Sequence, residues 1–380
     1  MRFHSLLLCT TFAALLTGAV AAQTAPKTAT KPLLVVGGKV VPVAGAPVEG
    51  GAVLVVDGRI RAVGLDAAKA DGAASAETLS FPGAVIFPGL IDAASYIGAR
   101  RERDETTTAF EFDVRVVDVL DPFHPAFAKN LAAGVTSVHV VGGDRNAVAG
   151  RSAVVKVAPD GTLTVLRAEA GLKTSFDSGS YPGDRAPTTP QGALEELRSG
   201  PAFASRMKPW RDARTNVFAT VRSDRDVQRL AAVAQTFGRP VVAMTTIAAG
   251  KFASELQPSV GGFILEPFGP GLDRPSKQHV RDLFAGKAAV AFGSWGPALL
   301  PSTLRVAAAS AYAFGVDAAE IERALTLDAA RLLGVDDRVG SLSPGKDGDL
   351  CVFTHSPADP RARLLLVVQD GRVVFRAPKE

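Results

Sequence analysis

The hydrophobic and polar positions divide the chain into three kinds of stretch, and the first is a single apolar run. Leu6 to Val20 follow Arg2, and Ala19-Val20-Ala21 set small residues where a peptidase would cut. That order predicts a secretory signal over residues 1–22 and a polar linker over residues 23–31. The run falls short of the roughly 20 residues that span a bilayer. Thr10, Thr11, Thr17 and Gly18 dilute it further, so a membrane anchor fits less well. Cys9 lies near the start of the apolar core rather than after it, which argues against lipidation. No later stretch has the length and apolarity of a transmembrane span, so the mature chain is expected to be secreted or periplasmic, without stable membrane insertion.

The second kind of stretch alternates as strands do. Leu33–Val36, Lys39–Val43 and Val53–Val63 are β-rich, the last broken by Asp57-Gly58. Aspartate-glycine between apolar runs marks a tight hairpin, whose turn needs positive φ. The signature returns where Leu364–Val368 and Arg372–Phe375 flank Asp370-Gly371. Hairpins at both ends predict one small β-sandwich built from residues 32–86 plus 338–380.

Between them, apolar β-branched runs alternate with helical patterns. Val135–Val141, Val154–Val157, Val217–Val221, Val241–Met244, Phe263–Leu265 and Ala289–Phe292 are expected as buried strands. Helices are expected at Asp224–Phe237 and Leu304–Phe314, and a long loop at Asp177–Pro190. A βα succession implies a parallel sheet. Residues 87–337 have the usual size of a closed (β/α)₈ TIM-like barrel. A doubly wound sheet is disfavoured because no Gly-x-Gly-x-x-Gly follows the first strand. The fold expected is therefore α/β, a (β/α)₈ barrel with a composite β-sandwich.

Composition narrows the chemistry. The 380 residues carry 42 Lys+Arg against 38 Asp+Glu, a net charge of +4 with no concentrated basic face, which speaks against nucleic-acid binding. There are 5 His and 2 Cys. The signal would remove His4 and Cys9, leaving four histidines and Cys351, too few for a disulfide framework or a zinc knuckle.

Phe87-Pro88-Gly89-Leu90-Ile91-Asp92 resembles the segment that opens the barrel of the amidohydrolase superfamily. The resemblance continues at Gly134-Val135-Thr136-Ser137-Val138. It is strongest at Thr326-Leu327-Asp328-Ala329-Ala330-Arg331-Leu332-Leu333-Gly334 and from Gly340 to Leu350, so it covers nearly all of the mature chain. Asn146 to Lys156 and Gly171-Leu172-Lys173 add a likeness to imidazolonepropionase-like members. The resemblance implies metal-dependent hydrolysis of C–N bonds, cyclic amide or amidine-type, with one or two divalent ions, usually zinc, at the barrel mouth. Such an ion lowers the pKa of bound water to about 7 and polarises the scissile carbonyl.

At the positions where the resemblance implies ligands, the sequence lacks them. Ala94 and Tyr96 stand at the first His-x-His; alanine has no donor atom, and a phenol of pKa about 10 ligates poorly at neutral pH. The middle strands carry Val217-Phe218-Ala219-Thr220 and end at Met244, a thioether. Trp295 takes the place of the terminal aspartate. Of the remaining histidines, His124, His279 and His355 are expected at surfaces or caps, and His139 as a packed strand residue. No metal and no zinc are expected.

Candidate acid or base groups are Glu266, directly after a strand, and Lys173. Asp92 is expected to fasten the first strand, and Asp144 and Asn146 to form a turn. There is no Gly-x-Ser-x-Gly elbow, and Cys351 lies outside the barrel region. The expectation is a secreted, amidohydrolase-like pseudoenzyme whose mouth, lined by Ala94, Tyr96, Met244 and Trp295, binds a small-molecule ligand or partner. The alternatives are a metal-free hydrolase using Glu266 or Lys173, and a subunit supporting an intact paralogue.

Overall fold

The computed structural model describes residues 31–99, 103–181, 183–199, 216–297, 300 and 302–378. The expected signal, with His4 and Cys9, lies outside the described residues, as does most of the linker. Among the described residues no helix is long and apolar enough to cross a membrane.

The chain begins with strands β1 (Leu33–Val40), β2 (Val48–Glu49), β3 (Ala52–Val56), β4 (Arg59–Gly64) and β5 (Glu77–Pro88). It continues through β6 (Leu90–Ser95), β7 (Phe110–Arg115), β8 (Val135–Val140), β9 (Val148–Val157), β10 (Leu163–Ser175), β11 (Asn216–Thr220), β12 (Val241–Thr245), β13 (Val260–Leu265) and β14 (Ala289–Phe292). It ends with β15 (Leu350–Phe353), β16 (Leu364–Gln369) and β17 (Arg372–Arg376).

The terminal strands form one sheet in the order β17-β16-β15-β5-β1-β3-β4, with β2 on β1. The composite β-domain is thus one continuous eight-stranded sheet rather than two hydrogen-bonded ones. A single apolar cluster joins Val35, Val53 and Ile60 from one half to Val352 and Leu366 from the other. Its sheet reaches Pro88, which pairs with Leu350, two residues past the expected boundary. Both Asp-Gly hairpins form, with Asp57, Gly58, Asp370 and Gly371 at positive φ. They meet at Gly348, whose N–H donates to Gly58 O at 2.8 Å, while Gly371 N–H donates to Gly348 O at 3.0 Å. A Cβ on Gly371 would sit 2.9 Å from Gly58 Cα, so this packing requires glycine.

The barrel sheet has nine strands, eight in the order β14-β13-β12-β11-β10-β9-β8-β6 and β7 on β9. Trp295 N donates to Ala94 O at 3.0 Å and Tyr96 N to Gly296 O at 2.7 Å, bringing the end of β14 against the end of β6. From β10 to β14 the strands are parallel, and β11 to β14 with the paired end of β10, Gly171 to Ser175, are nearly wholly buried, as apolar runs covered on both faces should be. The helix Arg274–Ala285 is capped by Asp273, whose Oδ1 accepts from Ser276 N at 2.9 Å, and buries Val280, Leu283 and Phe284 along one stripe. Helix Thr303–Ala313 buries Leu304, Ala307, Ala308 and Ala311 at the same spacing.

Two expectations are corrected. Val154–Val157 lies in β9, which runs antiparallel to both β8 and β10. A parallel neighbour needs a crossover of a dozen or more residues. Residues 158–162 instead turn tightly, with Gly161 at φ 81° donating to Ala158 O. The helix expected over Asp224–Phe237 is two pieces, Asp224–Gln228 and Leu230–Phe237, meeting at Arg229.

Where barrel meets β-domain, Lys156 of β9 is buried among three carboxylates. Its Nζ lies 2.6 Å from Asp347 Oδ2 and 3.1 Å from Asp370 Oδ1. Asp349 Oδ2 is 2.7 Å away, an ion contact off the hydrogen-bond direction. Arg338 and Arg59 close the cluster on Asp347 at 2.7 and 3.2 Å. Three carboxylates against one lysine hold its pKa above the ordinary lysine range despite burial.

Candidate functional site

The strand ends at the barrel mouth carry two layers, one apolar and one charged. Ala94, Tyr96, Met244 and Trp295, the four residues at the implied ligand positions, come together in one buried cluster with Phe218 and Ile264. Side chains alternate along a strand, so Val242 and Met244 of β12 face this cluster while Val241 and Ala243 face the helices. The indole of Trp295 packs across the glycine two residues before it: a Cβ on Gly293 would lie 2.2 Å from Cζ3 and 2.9 Å from Ala94 Cβ. Trp295 itself has φ 51°, a left-handed backbone that costs a residue with a side chain about 1–2 kcal/mol.

Asp92 fixes this arrangement as expected, though its reach is across the barrel. It accepts from Ser294 N at 2.8 Å, from Ser294 Oγ and from Ala94 N at 3.4 Å, so the first strand is fastened to the segment after the last. Burial raises its pKa to about 6 against these stabilising bonds.

The charged layer centres on Asp144, in the loop after β8. Lys173 Nζ donates to Asp144 Oδ1 at 2.5 Å, and to the carbonyls of Gly143 and Thr174 at 3.3 and 3.2 Å. Asp144 Oδ2 accepts from Tyr96 OH and from Arg222 Nη2, each at 3.0 Å. The same guanidinium donates from Nη1 to Asp177 Oδ2 at 3.1 Å and from Nε to Glu266 Oε1. Arg103 lies over the Tyr96 ring, 4.0 Å from its centroid. All three hydrogens of the Lys173 ammonium and all three nitrogens of Arg222 are therefore engaged. The net opposes itself in instructive ways. Burial dominates at Lys173 and, with Arg222 beside it, outweighs Asp144, so its pKa falls. Asp144 is also buried, but two cations hold its carboxyl far below the usual range. Burial and the Asp144 charge push the Tyr96 phenol up.

His139 is buried as expected, its ring 4.6 Å from that of Phe218 and its Nδ1 2.7 Å from Ala93 O. Nε2 has no partner, nor have Thr220 Oγ1 and Trp295 Nε1. His124 caps a turn, its Nδ1 accepting from Ala126 N at 3.2 Å, and His355 is exposed. Cys351 is buried, with Sγ 3.2 Å from Gly134 O.

Of the candidate acid-base pair, Lys173 and Glu266 share one network through Asp144 and Arg222 without touching. Asp144 does more than form a turn, and Arg222 and Asp177 are additions to the expected set. Arg222 could have been found by the rule that selected Glu266, since it lies just beyond the end of the buried strand β11.

The donor set does not fit a divalent metal. Alanine offers nothing, the indole N–H only donates, the phenol is shifted away from ionisation, and a thioether is a soft ligand. Among the described residues no group of three or more His, Cys, Asp or Glu is arranged to hold an ion. Asp144, Asp177 and Glu266 each already face a lysine or arginine.

An eight-stranded barrel with a split terminal β-domain defines a class of hydrolase scaffold, and the comparisons specify it. The amidohydrolase family model matches residues 282–374. An amidohydrolase from Thermotoga maritima MSB8 is 25% identical, covering 91% of this chain and 100% of its own at a TM-score of 0.77. A putative prolidase from Bifidobacterium longum (18% identity, 93% and 97% covered, TM-score 0.57) and molinate hydrolase (16%, 91% and 95%, 0.57) share the fold. No curated protein matches the chain. The family model and the structural likeness thus both point to amidohydrolases, the first over residues 282–374 and the second over 91% of the chain.

Proposed function

We propose that this protein is an exported amidohydrolase-superfamily member that has given up metal-dependent hydrolysis of C–N bonds and uses its barrel mouth to bind a ligand. The observation that carries the reading is the coincidence of the two layers. Residues at the implied ligand positions pack on one another, and the nearby charges are spent on one another. Lys173 and Arg222 supply positive charge at the mouth, fixed by Asp144 and Glu266. An acid or base must exchange protons with substrate, whereas both candidate groups are held in ion pairs, which disfavours the metal-free hydrolase reading. Binding to an intact paralogue is the other outcome that the scaffold allows.

The deciding experiment is metal analysis of protein purified without chelator, paired with a hydrolysis screen over cyclic amides and amidines with and without added zinc. Sub-stoichiometric metal and no turnover are expected. Stoichiometric zinc, manganese or iron, or zinc-dependent turnover, would overturn the reading. Export is tested by fractionation, with a mature N-terminus near residue 23 expected.

A further inference from the structure

Among the described residues, three of the buried polar atoms that lack a partner, His139 Nε2, Thr220 Oγ1 and Trp295 Nε1, border one apolar cluster. The Ala93 carbonyl can only accept, so His139 carries its proton on Nδ1 and presents a bare lone pair at Nε2. Burial draws the imidazole down to about 4, so the ring is neutral at ordinary pH. Thr220 follows Phe218 by two residues on β11 and so faces the same side. Phe218, against which His139 packs, shares its cluster with Trp295. Buried polar atoms in native proteins nearly always have partners, so three orphans bordering one region point to a partner outside the chain.

Trp295 is itself the least settled of these residues. Its backbone is left-handed, its N–H is buried without an acceptor, and its ring is accommodated only because position 293 is glycine. A tethered indole cannot turn its N–H toward an acceptor, whereas a free ring of the same size could. The charged layer above is matched internally, so a guest need bring no charge.

We propose that the Trp295 indole is a displaceable plug in a seat for an uncharged planar aromatic molecule of indole size, whose ring N–H donates to His139 Nε2. This rests on the reading of the mouth as a binding site and names its ligand class. Swinging the plug out opens walls of Ala94, Tyr96, Phe218 and Met244, and lets Trp295 leave its left-handed conformation.

The probe is indole itself, titrated unlabelled into the full mature chain labelled with ¹⁵N-tryptophan. The sequence has two tryptophans, so two indole N–H resonances are expected, assigned with Trp210→Phe. A saturable shift of the Trp295 resonance, with Trp210 unmoved and the response weakened at least tenfold by His139→Leu, is expected. No shift of Trp295 at about 10 mM indole overturns the proposal. In Trp295→Gly, indole is expected to raise the Tm in a dose-dependent way; a folded variant that gains nothing also overturns it. Should that variant not fold, the wild-type titration decides alone. These outcomes are separate from metal analysis: an immobile plug in a metal-free protein sinks this inference alone, and stoichiometric metal sinks the reading beneath it.

Discussion

Two lysines on adjacent strands, Lys156 on β9 and Lys173 on β10, are equally buried and titrate in opposite directions. Lys156 faces Asp347, Asp349 and Asp370, with Arg338 and Arg59 held on the far side of Asp347. Lys173 faces one carboxylate, Asp144, which it shares with Arg222. Burial lowers both; three carboxylates overcome it at Lys156, whereas one carboxylate with Arg222 beside it does not at Lys173. The difference also separates the roles: one cluster joins the barrel to hairpins from both ends of the chain, and the other neutralises the mouth. A buried cation can thus be a fastening in one place and a member of a charge-matched network at the mouth in another, on one scaffold.

The sharpest way to break that comparison is to remove the lysine from the fastening. Lys156→Met leaves the buried Asp349 without its cation, and removing one partner of a buried ion cluster costs about 3–5 kcal/mol. Urea unfolding of wild type and variant at pH 7 reads it. A loss below about 1 kcal/mol would mean that the arginines alone hold the junction.

A pH test addresses the next largest effect and a carboxyl of the opposite kind. Burial lifts Asp92 from 3.8 to about 6, so the folded chain binds this proton more tightly than the unfolded chain does. Its stabilising contribution is then complete below about pH 4 and is lost as pH rises through 6. Asparagine in its place cannot ionise and still accepts from Ser294 N. Asp92→Asn is therefore expected to gain on wild type by about 2–3 kcal/mol between pH 4 and pH 8. A stability gap that stays flat across that range would show that the Ser294 bonds, rather than burial, govern this carboxyl.

What sequence could and could not reveal follows the same division. The hairpins at Asp57-Gly58 and Asp370-Gly371 were legible because turn chemistry is local and demands glycine at positive φ. The four mouth residues were legible through the motifs around them, and they do pack together. The direction of β9 was not, since an apolar run reads alike up or down a barrel; only the short turn at residues 158–162 decides it. The hub at Asp144 was hidden because an aspartate after two glycines is an ordinary turn former. Its partners Lys173 and Arg222 are 29 and 78 positions away. Lys156 was hidden for the same reason, its acids lying 191 and 214 positions off. Charge pairs assembled by the fold carry no local pattern.

Lys173→Met sharpens the contrast at the mouth with a smaller loss. Asp144 would keep Tyr96 OH and Arg222, so it is not stranded as Asp349 is. Asp144 Oδ1 and the Gly143 and Thr174 carbonyls lose a donor, and the expected cost is about 1–3 kcal/mol. A loss equal to that of Lys156→Met, measured in the same urea series, would erase the distinction between fastening and mouth.

The smallest effect is the one most exposed to refutation. A ligand that binds only the native state stabilises by RT ln(1 + [L]/Kd), so a site of micromolar affinity shows about 2.7 kcal/mol at a hundredfold excess. With Asp144 and Glu266 already facing cations, zinc would have to displace Lys173 or Arg222 to reach their oxygens. Titration of zinc against the chelator-treated protein is expected to leave the thermal midpoint within about 1 °C, as a ΔΔG near zero requires. A midpoint that climbs and saturates at one or two equivalents would show that the two cations yield to a metal, and the mouth would then be a regulated metal centre rather than a closed one.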